Sequence, residues 1–276
     1  MINPKFPRLN LGCGYCSHPE FVNADFTSTE KGVHAMDLRK PLPFPDHSFD
    51  LVYHCHVLEH FTLEKGESLL GECYRVLKTN GILRVVVPDL AQWAHAYLES
   101  LQNARNGDST AKACHRWLII ELIDQMVRTQ TGGIFVDYMR SAPPDVLQFI
   151  ENRVGPLKEF SPDLAPPSAP TVKTKICSVL RQIRRPQILL DTIKAYWFPE
   201  TYKAEQFLRF RAQGENHLWM YDEINLKHVL ESTGFTSTSI QTAEQSLYPN
   251  WNTYQLDIFP DSSIRRPNSL YMEARK

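Results

Sequence analysis

The sequence predicts an α/β fold organised around a mostly parallel sheet. Three observations carry this: seven short apolar runs bounded by turn residues, helical spacing between several of them, and nearly unbroken apolar character within the early runs. Strands of that kind are buried on both faces, as in a parallel sheet covered by helices on each side.

Arg8–Leu11 reads as the first strand and leads into the turn Gly12-Cys13-Gly14. Phe21–Ala24 follows and ends at Asp25, and Val33–Met36 ends at Asp37. Phe49–Tyr53 is the fourth strand, and Ile82–Val87 the fifth, ending at Pro88-Asp89. Between these two, Val57, Leu58, Phe61, Leu69, Leu70, Tyr74 and Leu77 recur at helical spacing, and Lys78-Thr79-Asn80-Gly81 supplies the stop. Ala111–Gln130 predicts a helix with a wide apolar face. Residues 141–170 hold seven prolines and predict an irregular loop. The tail returns to the earlier pattern: an amphipathic helix over Asp222–Ser232 closed by Gly234, then strands over Phe235–Thr242 and Ser269–Ala274. Residues 1–102 and 216–276 therefore read as one core, with 103–215 as a helical and irregular insertion facing the acceptor side.

Composition narrows the function classes. The chain has 276 residues and a net charge of −1, with 42% hydrophobic and 22% charged residues. Near-neutrality removes a whole-molecule case for nucleic acid, and no run is long enough to span a membrane. With no apolar leader after Met1, the expectation is a cytoplasmic protein. Six cysteines dispersed over this length predict free thiols, and Cys13-Gly-Tyr-Cys16 lacks the helix that a redox motif should open. Residues 173–211 carry nine basic against three acidic side chains, a net of +6. That segment reads as a solvated helical face, or as a patch for an anionic substrate or a peripheral contact with lipid headgroups.

In open α/β sheets, ligands bind beyond the C-terminal ends of the strands. Those ends here carry Gly12 and Gly14, Asp25, Asp37 and His54-Cys55-His56. A glycine turn lets the backbone approach a ligand, and strand-end carboxylates accept from ribose hydroxyls or an exocyclic amine. His56-Val57-Leu58-Glu59-His60 also matches the H-x-x-E-H zinc pattern, with the two histidines four apart for a shared helical face.

The runs Leu9–Gly14, Phe21–Asp25 and Asp37–Asp46 resemble the class I S-adenosylmethionine-dependent methyltransferases. So do Ser48–Val52, Val57–His60, Tyr74–Lys78 and Gly81–Leu83, in the family's order. The resemblance covers about residues 8–90 and the tail segments His217–Asp222 and Leu230–Phe235, while 103–213 match nothing recognisable. It implies a Rossmann-like sheet of seven strands with the last antiparallel, and S-adenosylmethionine as methyl donor. It implies donor contacts from Asn10, Gly12, Cys13, Gly14, Asp25, Asp37, Leu38 and His54. The family's first strand usually ends in an acidic residue, where this chain has Asn10, and the usual third glycine and long first helix are missing.

For catalysis the candidates are His54, His56 and His217, since a base near neutral pKa assists transfer to a hydroxyl. Asp89 could position the acceptor, and Trp93, Tyr97, Trp219 and Tyr221 could line its pocket. For a metal they are His56, Glu59 and His60, joined by His217, a set similar to that of metal-using class I enzymes. The expected reaction is methyl transfer to a hydroxyl of a small molecule or glycan by in-line displacement. The alternatives are a binding module that kept the fold without catalysis, and a nicotinamide oxidoreductase, whose G-x-G-x-x-G lacks its last glycine here.

Overall fold

A computed structural model describes residues 5–26, 31–157, 191 and 194–276. Seven strands form one sheet: β1 (Arg8–Leu11), β2 (Val22–Asp25), β3 (Val33–Ala35), β4 (Phe49–Cys55), β5 (Leu77–Pro88), β6 (Thr236–Gln241) and β7 (Ser269–Arg275). Their order is β3-β2-β1-β4-β5-β7-β6, and β7 alone runs antiparallel to its neighbours. This is the mostly parallel, Rossmann-like sheet that the resemblance implies.

Alternation along the strands separates two cores, because successive side chains point to opposite faces. Val52, Leu83, Val85 and Val87 face α1 (Leu63–Val76) and α7 (Glu223–Ser232). Leu51, Tyr53, Ile82 and Val86 face the other way, onto Trp251, Leu256 and Ile258. Arg84 is fully buried in that second layer, paired with Asp257 and Glu273 at 2.8 Å each. A third core lies outside the sheet, where Trp117, Phe135, Met139, Val146 and Ile150 join α3 (Ser109–Val127), α4 (Gly133–Ser141) and α5 (Pro144–Val154).

Several expectations need correction. The helix foreseen from Val57 to Leu77 is broken: Leu58–His60 is a single 3₁₀ turn, Phe61 is extended, and Thr62 caps α1 by accepting from Lys65 N–H. The foreseen stop at Lys78–Gly81 lies inside β5, which begins at once after α1. Asn80 turns the chain there with φ 63°. The loop foreseen over 141–170 holds α5, because proline at a helix's first turn forfeits no hydrogen bond. The remainder of that loop, from 158, lies outside the described residues, as does most of the basic stretch 173–211. Its described part includes α6 (Pro199–Ala212), where Lys194 pairs with Glu205 at 2.8 Å and Arg209 with Asp191 at 3.2 Å. All described cysteines are free thiols, and no described helix is long and apolar enough to cross a membrane.

Candidate active site

The turn after β1 is built by backbone conformation. Gly12 and Gly14 take φ of +62° and +47°, a region that side chains other than glycine's occupy at a cost. A Cβ on Gly12 would collide with Val57 Cγ2, so the bare glycine lets the 3₁₀ segment pack against the turn. Asn10 lies under the loop and donates to Cys16 O at 2.9 Å and Asn23 Oδ1 at 3.1 Å. Asp25, closing β2, accepts from Gly14 N–H at 2.9 Å, which ties strand end to glycine turn. Beyond β3, Arg39 grips Asp37 through Nε at 2.7 Å and holds its carboxyl below the usual range.

These elements enclose a cavity of about 210 Å³. Of the foreseen donor contacts it is lined by Gly12, Asp25, Asp37 and Leu38, with apolar walls from Phe26, Val57 and Phe61. Arg39, Gln213 and Gly214 join them, and the last two come from the end of the 103–215 insertion. Arg39 Nη1 donates to Ala212 O at 2.8 Å, so the end of α6 is latched to this rim. Asn10, Cys13, Gly14 and His54 do not line it. Asn10 and Cys13 are buried behind the turn, and His54 is wholly enclosed within β4. Burial alone lowers the His54 pKa to about 4. Two carboxylates at successive strand ends beside an apolar slot suit an adenosine: hydroxyls and an amine at its edges, a flat ring between them. The residues present fit the nucleoside half of S-adenosylmethionine.

A second, larger chamber of about 390 Å³ adjoins the first. Its roof comes from Gln125, Arg128, Phe135 and Arg153 of the α3–α5 region, and its floor from His217, Arg266, Asn268 and Ser269. None of the roof was foreseen, because no motif marks it. Arg153 is held by Glu121 at 2.7 and 2.9 Å, and Arg128 Nη2 lies 3.3 Å from Glu215. The two cavities share His56 and His60.

The shared wall has a specific construction. His56, at the end of β4, takes φ 54°, an uncommon conformation for a side-chain-bearing residue. Its Nε2 lies 2.8 Å from Ser269 Oγ and its Nδ1 3.4 Å from Glu59 Oε1. His56 therefore stands outside the 3₁₀ turn, and the four-apart pair of the zinc-peptidase pattern does not share a helical face. His60 Nδ1 lies 3.2 Å from Asn216 O, and its ring meets that of His217 edge-on at 4.9 Å. Glu59 O accepts from Leu218 N–H at 2.7 Å, so the tail segment lies directly on this turn. The donor atoms of Glu59, His60 and His217 all fall within 4.8 Å of one another. Burial raises the Glu59 pKa to about 8, lowers that of His60 to about 4 and holds His56 and His217 well below the usual value.

Other candidates have structural roles. Asp89 caps α2 (Leu90–Arg105), accepting from Ala91 and Gln92 N–H at 2.9 and 3.2 Å. Trp93 stacks on Tyr97 and donates to Leu118 O at 2.9 Å. Tyr221 is fully buried, and Trp219 donates to Asn225 Oδ1 at 3.0 Å.

Strand order, glycine turn and strand-end carboxylates together define the class I S-adenosylmethionine-dependent methyltransferase fold. The sequence model of the family described as "Methyltransferase domain" matches residues 13–85, about a quarter of the chain, and that stretch is similar to this family. No curated protein matches the chain. Among solved structures, a SAM-dependent methyltransferase from Archaeoglobus fulgidus is 13% identical, aligned over 99% of this chain and 88% of its own, with a TM-score of 0.39. A second, from Mesorhizobium loti, is 14% identical over 99% and 92%, with a TM-score of 0.35. PKMT2 from Rickettsia typhi, in complex with AdoHcy, is 13% identical over 99% of this chain and 50% of its own, with a TM-score of 0.34. Overlaps this partial add nothing to the strand order, which carries the fold by itself.

Proposed function

We propose that the protein transfers a methyl group from S-adenosylmethionine to a hydroxyl of a small molecule or glycan. One observation carries the reading: a cavity edged by Asp25 and Asp37 and a larger chamber bearing amide and charged side chains meet at a wall made by His56 and His60. When bound, S-adenosylmethionine supplies an already activated methyl. Asp25 and Asp37 would hold its ribose and adenine edges, and Leu38, Phe26 and Phe61 would flank the ring.

Alignment and exclusion of water are then the main tasks of the chain. The α3–α5 roof shields the larger chamber, whose amide and charged groups suit an acceptor with several hydroxyls. Transfer forms an oxygen–carbon bond and breaks the sulfonium–carbon bond, the electron pair staying on sulfur. The acceptor proton leaves to a base. His56 is neutral at pH 7 and lines the chamber that the acceptor hydroxyl would enter, which makes it the candidate base. Its weak basicity suffices once the methyl has moved, since a protonated ether is far more acidic than the alcohol.

Calorimetry with S-adenosylhomocysteine tests the donor site. The wild-type chain should bind it, and Asp25→Ala should weaken binding by about 1–3 kcal/mol, as for a hydrogen-bonded partner removed. Absence of binding to the wild type overturns the enzyme reading; binding unaffected by Asp25→Ala removes Asp25 from the ribose role.

A further inference from the structure

We propose that Glu59, His60 and His217 bind one first-row divalent transition ion, zinc foremost, at the wall between the two cavities. The role of the ion in acceptor activation rests on the methyl-transfer reading; its binding does not.

Four observations support the site. The three donor atoms lie within 4.8 Å of one another, although they come from segments more than 150 residues apart. The Glu59 carboxylate is completely buried, and neither oxygen has a hydrogen-bond partner among the described residues. A buried carboxyl in that state either keeps a proton or takes a cation, and the imidazoles beside it supply further ligands for a cation. His60 points Nδ1 at the Asn216 carbonyl, 3.2 Å away. A carbonyl can only accept, so Nδ1 carries the proton and the Nε2 lone pair is left for a ligand, the orientation typical of metal-bound imidazoles. Finally, the segment bearing His217 is pinned at both ends: His217 N–H donates to Gln125 O at 2.9 Å, and Leu218 and Trp219 N–H donate to Glu59 O.

Ligand chemistry selects the ion. Two imidazoles and one carboxylate favour zinc or a neighbouring transition ion over magnesium, which prefers oxygen and water. Three protein ligands leave a fourth tetrahedral position open, as in catalytic rather than structural zinc sites. His60 and His217 both line the larger chamber, so an oxygen entering that position would come from the acceptor. His56, a ligand candidate from sequence, is instead turned to Ser269, with its Nδ1 3.4 Å from Glu59 Oε1.

The test uses the full chain stripped with a chelator, then titrated with zinc by calorimetry and with cobalt(II) by absorption. One equivalent of zinc should bind, and Glu59→Gln and His217→Ala should each weaken it by about tenfold or more. Both variants are checked by circular dichroism and by S-adenosylhomocysteine binding to show that they remain folded. Cys13→Ser with Cys16→Ser should leave zinc binding unchanged. No stoichiometric zinc binding, affinities unaltered in both ligand variants, or cobalt spectra with thiolate charge-transfer bands would each overturn the site. Heat from S-adenosylhomocysteine without heat from zinc defeats the metal site alone. Zinc binding without S-adenosylhomocysteine binding upholds it and defeats the donor reading.

Discussion

His54 shows how one position can be legible in a motif and still fall elsewhere in space. The motif order put it among the donor contacts, but β4 continues to Cys55, so the reversal falls at His56 instead. His54 is thereby enclosed, with both ring nitrogens unpartnered and a pKa near 4. The unfolded chain takes up a proton near pH 6.5 and the folded chain does not until about 4. The contribution of this histidine to stability is therefore complete above pH 6.5 and is lost as pH falls toward 4. In urea unfolding between pH 6.5 and 5, wild type should lose about 1.5 kcal/mol more than His54→Phe. Parallel profiles would contradict the burial account. Asp25 and Asp37, by contrast, were readable because a strand-end carboxylate needs only its strand to be placed correctly. Arg39 and Arg84 were not: nothing in Asp37-Leu38-Arg39 says that the arginine clamps the aspartate, and nothing in Ile82–Val87 says that a guanidinium is neutralised inside the core.

Among the elements, strands were legible and helix boundaries less so. Apolar runs bounded by glycine, proline and aspartate located the central strands, where burial on both faces leaves little freedom in composition, and turn residues located β3 and β6, which are largely exposed. The α1 region was read as one helix because Leu58 and Phe61 keep helical spacing through a turn that is not α-helical. Spacing reports which face is buried, not whether the hydrogen-bond ladder is continuous. Prolines at 143 and 144 read as breakers in the sequence, yet Pro144 opens α5. Asp89 belongs here as well, because its carboxylate satisfies the first amides of α2. Asp89→Ala should lower stability by about 1 kcal/mol, the usual loss for a missing N-cap, and leave S-adenosylhomocysteine affinity unchanged in calorimetry. A large loss of affinity with no loss of stability would return Asp89 to the ligand site.

In the molecule as a whole, the sheet and the smaller cavity were foreshadowed and the larger chamber was not. Its roof is made by helices that pack on one another and on α2 rather than on the sheet, and such packing leaves no residue pattern tied to the sheet. Gln213 and Gly214 were also missed, because their place on the donor rim depends on the return path of α6 and its latch to Arg39. That latch makes a hydrogen-exchange prediction. Saturating S-adenosylhomocysteine should slow exchange in peptides spanning residues 10–26, 36–40, 54–61 and 210–216, and leave β6 unchanged. Protection confined to the first three would separate the end of α6 from donor binding.

The roof of the larger chamber has a modular consequence. Helices α3, α4 and α5 are one uninterrupted run of chain with its own core, whereas the nucleoside cleft is assembled mainly from the first 61 residues. On the proposed methyl-transfer reading, exchange of that single block for another of similar footprint would retune which acceptor is admitted, while the donor-binding cleft stayed as it was.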